Sequence, residues 1–543
     1  VLALLILFTV IRLNGQTAEP EQYRIQPDAL RAHIAVLGAD SLEGRGTGTT
    51  GCEKAAAYVT RALRTNGISP YPVLKGYEQL FPLHGSTPDE GTEFTLYAPK
   101  DSYTLRIQED YVLFSAGAQT FTPLPVKMIF VGYGIIAPEF DYNDYQNIDV
   151  RNAIVVFLSG EPASSNDSYF DGEHSTVHSS FVEKQKTALA RGARGSILIP
   201  NTLDRSFDDW YEQQRHFRFE EVRQLSAPSE NLNILLNPKL VPFLFTDAPY
   251  SFDEITAMEK THSIKSFPLV LRGSFHGKFR EREFLSSNII GYVEGSDPAL
   301  KDSYLLLTAH YDHLGIGIPV EGDSIYNGVF DNASGVAALL EIARVFSLPE
   351  HRPKRSVLFI FLTGEERGFI GSQYYCLNPV VPLYRTIANI NIDGISLFER
   401  TRSVIGVGAE LSSLGRSLKE SVRSMDLAVD EIPQDVFRQD QFRNSDQFIF
   451  AQAGIPSILI AEGLQYETST FEQGLQRYTA WTEERYHTPF DDLSQKLNMN
   501  AAEQHTSVIL HFAQDLANGS DKPSWNPHSP FLSARLRSAS EKK

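Results

Sequence analysis

Cysteine is almost absent: Cys52 and Cys376 are the only two in a chain of 543 residues. Two thiols can form one bond at most, so a disulfide framework and a cysteine-rich zinc module are both excluded. A metal site in this chain has to be built from His, Asp and Glu. Basic residues are also in deficit, with 49 Lys+Arg against 67 Asp+Glu and a formal charge of −18. That balance argues against a nucleic-acid partner, because such binding draws its affinity from Lys and Arg on phosphates. It favours solubility. Long apolar runs are missing too. The best candidate, residues 1–11, is broken only by Thr9 and is well short of the ~20 residues of a spanning helix. Its length suits the apolar part of a secretory signal, with Leu13-Asn14-Gly15 as a cleavage shoulder. Residues 1–16 are therefore expected to be a signal peptide. The mature chain is expected to be exported, periplasmic or extracellular, with no integral membrane segment.

What is present is a globular composition, 42% hydrophobic and 21% charged, whose texture changes along the chain. Residues 27–68 read as helical, with Ala55, Tyr58, Val59, Ala62 and Leu63 at helical spacing and Gly67 closing the segment. Residues 77–123 show short β-like pieces such as Phe94-Thr95-Leu96-Tyr97. Beyond Val126, buried-strand runs at 128–133, 153–158 and 196–199 surround a helix at 184–191, which predicts a compact α/β unit over 126–280. From Asn288, apolar strands at 304–308, 357–362, 387–392 and 457–460 alternate with helices at 334–346, 411–425 and 501–517. Near-continuous apolar strands between amphipathic helices predict an α/β fold, a central sheet covered by helices on both faces. Residues 17–125 and 281–520 are assigned to this larger domain, with 126–280 inserted into it. The polar, turn-rich stretch 521–543 is expected to be a flexible tail.

Three of the apolar strands end in reactive side chains. His310 and Asp312 share a face at the end of the first, and a carboxylate beside an imidazole can hold its tautomer. Asp331 lies in the turn Asn327-Gly328-Val329-Phe330-Asp331-Asn332-Ala333-Ser334-Gly335. An ordinary helix N-cap accounts for Asp, Asn or Ser there; a carboxylate bridging two cations is the functional alternative. The next strand ends in Thr363-Gly364-Glu365-Glu366. A capping box would employ Glu366 and leave Glu365 without a task. Adjacent acids pointing different ways suit one on a metal and one on an attacking water. Asp393-Gly394 closes the third strand in what is also a turn sequence, and His487 precedes Thr488-Pro489 late in the chain. Ligands collect at the carboxyl ends of strands in open α/β sheets. Two His and three carboxylates suit a pair of borderline cations, zinc first, with manganese or cobalt also compatible.

In order and context these motifs resemble the dizinc aminopeptidase family. That family includes secreted bacterial leucyl-type aminopeptidases and relatives such as glutamate carboxypeptidase, the transferrin receptor and glutaminyl cyclase. The stretch Leu37-Gly38-Ala39-Asp40-Ser41-Leu42-Glu43-Gly44-Arg45-Gly46-Thr47-Gly48 is similar to the family's N-terminal signature. Residues 128–201 look like the protease-associated domain that many members insert. Ser445-Asp446-Gln447-Phe448 with Gly454-Ile455-Pro456 resembles another recurrent element. The resemblance implies a zinc-exopeptidase-like fold, a mixed central sheet covered on both faces, with a smaller β-rich α/β protease-associated insert.

It also implies two Zn2+ ions, replaceable by Mn2+ or Co2+. His310, Asp331 and Asp393 would hold one; Asp331, Glu366 and His487 would hold the other, with Asp331 bridging. Glu365 would be the general base that takes a proton from the attacking water and returns it to the leaving amine. Asp312 would orient His310. The implied substrates are peptides with a free N-terminus. Carboxypeptidases, other amide hydrolases, glutaminyl cyclases and a non-catalytic binding protein reuse this scaffold and stand as alternatives. Three positions depart from the family pattern: Phe330 where a small or acidic residue is common, Gln447 where His is frequent, and Arg151-Asn152 in place of Gly-Lys. None removes a ligand or the base.

Overall fold

The computed structural model describes residues 23–115, 121–164, 166, 168–170, 172, 176–201, 210–225, 231–431 and 441–541. The expected signal peptide, 1–16, lies outside them. Nine strands of the larger sheet are used below: β1 Glu78–Pro88, β2 Glu221–Gln224, β3 Phe279–Val293, β4 Tyr304–His310, β5 Ser356–Leu362, β6 Thr386–Asn391, β7 Ser403–Val407, β8 Ala428–Asp430 and β9 Ser457–Glu462. Their spatial order is β2-β1-β3-β5-β4-β6-β9-β7-β8, and Ser69–Pro70 adds a short pairing to β3. The centre, β5-β4-β6-β9, is parallel. The flanks bring antiparallel neighbours: β3, β1 and β2 on one side, β7 on the other. The sheet is mixed, as expected.

Seven helices concern the site: α1 Pro27–Leu37, α2 Thr50–Thr65, α3 Trp210–His216, α4 Gly335–Ser347, α5 Leu414–Arg423, α6 Met499–Asn518 and α7 Leu532–Ser540. Every residue of β4, β5 and β6 is buried, so both faces of the sheet need cover. Side chains alternate between the two. Leu305, Leu307, Phe359 and Phe361 join the core beneath α1, α2, α4 and α6, while Leu306, Leu358 and Ile360 join Tyr375, Phe450 and Ile455 on the opposite face. Helix α4, Gly-Val-Ala-Ala-Leu-Leu-Glu-Ile-Ala-Arg-Val-Phe-Ser, is apolar nearly all round because it is covered by sheet and helices together. After β5 the chain returns to the other side of β4 to form β6. That reversal opens a crevice at the carboxyl end of β4.

The second sheet runs Ser102–Arg106, Glu93–Tyr97, Phe267–His276, Phe121–Phe130, Ile154–Leu158, Gly195–Ile199, Leu232–Leu236, Tyr111–Ser115. It differs from the expected insert of 126–280 at both margins of the domain boundary. Phe94, Leu96, Tyr111 and Leu113 bury their apolar faces in the insert's core, so the stretch around 93–115 belongs with the insert and not with the larger domain. Conversely, β2 lies within the expected insert yet pairs with β1 at the edge of the larger sheet, Val222 opposite Gly85. Short strands advertise burial but not the sheet they join. The region from 521, expected as a flexible tail, is also different. Trp525 is 5% exposed, its Nε1–H donates to Gly454 O at 3.0 Å, and α7 follows it. One buried indole anchors an otherwise polar segment. Both cysteines are free thiols, Cys52 near Thr363 and Cys376 near Ile449.

The stretch between α1 and α2 acts as a latch. Its Arg45 is fully buried and donates from Nε to Tyr311 O, from Nη1 to Leu37 O and Asn327 O, and from Nη2 to Gly328 O. One guanidinium thereby ties the end of β4 to the loop before α4. Gly44 makes the approach feasible: at its φ of 64° a Cβ would lie 2.3 Å from Tyr326 O. Arg45→Ala would strand these buried carbonyls and is expected to lower the unfolding free energy by about 3–5 kcal/mol. Arg45→Lys should recover only part, because one ammonium cannot serve the fork. Urea denaturation of the metal-free protein checks this, and a loss well under 1 kcal/mol would refute the latch.

Candidate metal centre

Parallel strands β4, β5 and β6 finish side by side, and their ends deliver His310, Glu365 with Glu366, and Asp393 to one rim. Asp331 comes from the irregular turn that precedes α4. Gly328 opens that turn at φ 59°, where a Cβ would lie 2.0 Å from Asp331 O and 2.6 Å from the His313 ring. His487 arrives from the loop before α6.

The distances around Asp331 follow one pattern. His310 Nε2 is 3.3 Å from Asp331 Oδ1 and 3.1 Å from Asp393 Oδ1. His487 Nε2 is 3.2 Å from Asp331 Oδ2 and 3.4 Å from Glu366 Oε2. Two atoms bound tetrahedrally to one zinc at ~2.0–2.1 Å are separated by roughly 3.3 Å. The two oxygens of one carboxylate thus face two sets of donors, each spaced as a common cation would require. The potential ligand atoms of His310, Asp331 and Glu366 lie within 4.8 Å of one another, as do those of His310, Glu365 and Asp393. Asp312 stands behind His310: its backbone O is 3.2 Å from Nδ1, and its carboxylate accepts from Thr47 Oγ1 at 2.8 Å and from Glu365 N at 3.2 Å.

This rim concentrates buried negative charge. Burial lifts Glu365 well above the usual carboxylate range, and Asp393, Glu366 and Asp446 add to the effect. Burial would raise Asp331 as well, but hydrogen bonds from His310 and His487 hold it far below its ordinary value. For His310, burial lowers the pKa and is outweighed by Asp393, Glu365 and the bond to Asp331, leaving it well above normal. His487 is raised to about 9, with Glu366 and Asp331 overcoming its desolvation. Buried acids in excess of their cationic partners are what bound cations neutralise. The residues present fit a pair of zinc ions.

Several supporting residues escaped sequence reasoning. Asp491 accepts from Phe330 N at 2.9 Å and Asp331 N at 3.0 Å, joining the His487 segment to the Asp331 turn. Asn332 donates to Ile392 O and accepts from Gly335 N and Gly394 N, joining that turn to Asp393. His313 Nδ1 is 2.6 Å from Glu366 Oε1. Asp446 is fully buried, and that burial pushes it up to about 7 against the lowering effect of His310 and Ser372. Tyr486 stacks on His487 with ring centres 3.9 Å apart; it is partly exposed, and partial desolvation together with the nearby Asp331 and Glu366 carboxylates keeps its hydroxyl protonated. His313, three residues beyond His310, and Asn332 and Tyr486, beside Asp331 and His487, had a signal in their adjacency to a chosen residue, and Asp446 lay in a quoted motif; Asp491 had none. Two of the departures gain a rationale. Gln447 is buried and accepts from Asn391 Nδ2 at 2.8 Å, while Phe330 packs on Trp481 at 4.5 Å and against Gly394.

The segment of α3 and β2 also approaches this rim. Tyr211 Oη donates to Pro319 O at 3.1 Å, and Phe219 packs on Tyr326 and beneath Arg367. His216, at the end of α3, is exposed; desolvation by the surrounding protein and the neighbouring His487 lower its pKa.

These features define a class first: a mixed α/β chain with a buried His–carboxylate centre at a strand rim. More narrowly, residues 288–513 match the model of Peptidase family M28. A vacuolar membrane protease of Sclerotinia sclerotiorum is 21% identical over 377 residues, 66% of this chain and 30% of that protein. A probable zinc metalloprotease of Pyrenophora tritici-repentis is 34% identical over 108 residues, 20% of this chain and 24% of that one. The chain thus spans less than a third of the length of these curated relatives. Among solved structures, an aminopeptidase from Aneurinibacillus sp. strain AM-1 shares the fold, with a TM-score of 0.56 and 18% identity over 91% of this chain and 95% of that one.

The expectation of an exported, periplasmic or extracellular protein is corrected by these relatives. Several are named vacuolar membrane proteases, which points to a vacuolar membrane setting and away from a secreted bacterial protein. An apolar run reports affinity for a bilayer, not which membrane receives the chain or whether it is released. Among the described residues no helix is long and apolar enough to cross a membrane.

The pKa of His487 predicts how the centre responds to pH. Its folded value of about 9 exceeds the ordinary 6.5, so its contribution to metal-free stability is complete below about 6.5 and is lost as pH rises through about 9. A zinc ion held by His487 would compete with the same proton, so zinc affinity should strengthen across that window. Urea midpoints of chelator-treated protein and competition titrations with zinc test both signs. Affinity that did not change with pH would contradict the assignment, and His487→Gln should flatten both profiles.

Proposed function

We propose that this chain is a zinc-dependent exopeptidase, an aminopeptidase that removes the N-terminal residue from peptides with a free amine. The observation that carries this reading is the set of imidazole–carboxylate separations on either side of Asp331, between 3.1 and 3.4 Å, with Glu365 alongside. His310, Asp331 and Asp393 would hold one ion; Asp331, Glu366 and His487 would hold the second. When bound, the two ions supply Lewis-acid polarisation of the scissile carbonyl and acidify a water. The names of the curated relatives support zinc as the metal and peptides as the substrate class.

Glu365 has a carboxylate with no hydrogen bond among the described residues, so it is free to move a proton. It takes one proton from the attacking water as the C–O bond forms. It then delivers that proton to the amide nitrogen as the C–N bond breaks, giving a free amine and a carboxylate. Asp312, itself fixed by Thr47, keeps His310 in orientation. Tyr486, still protonated beside His487, offers an O–H to the negative charge that develops on the carbonyl oxygen. The acidic surroundings of Asp393, Glu365 and Asp446 favour an ammonium group, which supports recognition of the free N-terminus. The insert is read as a protease-associated domain, with α3 and His216 walling the cleft against longer or blocked substrates.

A peptide panel on zinc-reconstituted protein, with mass detection of the trimmed end, tests the proposal. Unblocked peptides should lose their first residue and N-acetylated ones should resist. Trimming from the carboxyl end, or equal turnover of blocked peptides, would overturn it. Glu365→Gln should retain zinc and lose about 10²–10⁴ in kcat. Full activity in that variant would remove the base assignment.

A further inference from the structure

The rim holds a third imidazole that neither ligand group employs. His313 is fully buried, and its backbone N–H donates to Arg45 O at 3.2 Å. Its Nδ1 lies 2.6 Å from Glu366 Oε1 but 4.0 Å from Asp331 Oδ1. The first distance is too short for two atoms bound to one cation, which lie roughly 3.3 Å apart at tetrahedral zinc. It is that of a charge-assisted hydrogen bond. An ionised carboxylate only accepts, so Nδ1 carries the proton. The other ring nitrogen, Nε2, is buried with no partner among the described residues. Leaving it dry is costly, which indicates that the ring is kept for what Nδ1 does. Gly328 confines it: a Cβ there would lie 2.6 Å from both Cγ and Cδ2 of the imidazole.

Glu366 therefore has two unlike oxygens. Oε1 is taken by His313, whereas Oε2 faces His487 Nε2 at 3.4 Å. We propose that His313 is a positioning residue: by occupying Oε1 it makes Glu366 a one-oxygen ligand and aims Oε2 at the cation on the His487 side. It sets the affinity of that half of the centre and not of the half built on His310 and Asp393. The inference rests on the two-ion reading above. Removing the donor frees Glu366 to rotate and leaves Oε1 buried without a partner, so the second ion alone should be weakened.

The test is zinc titration of the full-length chain against a chromophoric chelator, with unfolding midpoints of the metal-free variants recorded in parallel. Wild type should take up two ions. His313→Ala should keep the tighter site and weaken the other by about 10–100-fold, the usual effect of removing a residue that supports a ligand. His313→Asn, whose amide N–H can stand in for Nδ1–H, should recover much of the loss, and it also serves if the alanine variant does not fold. In a Glu366→Gln background, His313→Ala should weaken zinc no further. Wild-type affinity at both sites in His313→Ala, or equal loss at both, would overturn the role of His313 while leaving the two-ion reading intact. A wild-type chain that took up fewer than two ions would overturn both.

Discussion

One carboxylate has to face two imidazoles at once. Asp331 presents Oδ1 to His310 and Oδ2 to His487, at 3.3 and 3.2 Å, from a turn that is itself irregular and largely buried. An acid in that position would repel Glu366 and Asp393 unless cationic partners surrounded it. Much of the molecule serves to keep that turn in place. Arg45 holds the carbonyls of Asn327 and Gly328 just before it. Asp491 receives the N–H groups of Phe330 and Asp331, and Asn332 joins it to the strand end that carries Asp393. The latch from the N-terminal helices and the loop that brings His487 meet at this one turn.

The sheet makes such an arrangement economical. Parallel strands β5, β4 and β6 are buried on both faces, so their chemistry can appear only where they end. The chain reverses direction of growth at β4, and the crevice left there receives side chains from three strand ends. The charge problem and the fold therefore coincide. Acids cluster where strands stop being hydrophobic, and the low dielectric that raises Glu365 also strengthens every interaction with a cation. Pairing of β2 with β1 ties the segment that follows α3 to the edge of the larger sheet.

Much of this was legible in order along the chain. The apolar runs at 304–308, 357–362 and 387–392 became β4, β5 and β6 with small changes at their ends, because fully buried strands carry an unmistakable composition. His310, Glu365, Glu366 and Asp393 were legible because acids and imidazoles directly after such runs are costly unless used, whereas Asp331 and His487 took their roles from the resemblance. Boundaries were less legible. Phe94 to Leu113 carries the alternation of any half-buried strand, and nothing in that pattern says which of two sheets it joins. Trp525 lies in a polar stretch whose composition predicts fraying, yet one indole packed beside Phe531 and Phe442 anchors it.

The amino-acid sequence by itself determined the buried parallel strands at the centre of the larger sheet and the types of side chain at their ends. Cysteine scarcity and acidic excess already left His and carboxylates as the ligands for a metal. Periodicity and composition are local properties, and they survive without knowledge of neighbours. Only the tertiary structure decided which oxygen faces which nitrogen. Asp491, Asn332 and His313 act across gaps of 160, 60 and 53 residues to Asp331, Ile392 and Glu366. No local pattern marks a hydrogen bond between distant segments, because its geometry exists only once both are packed.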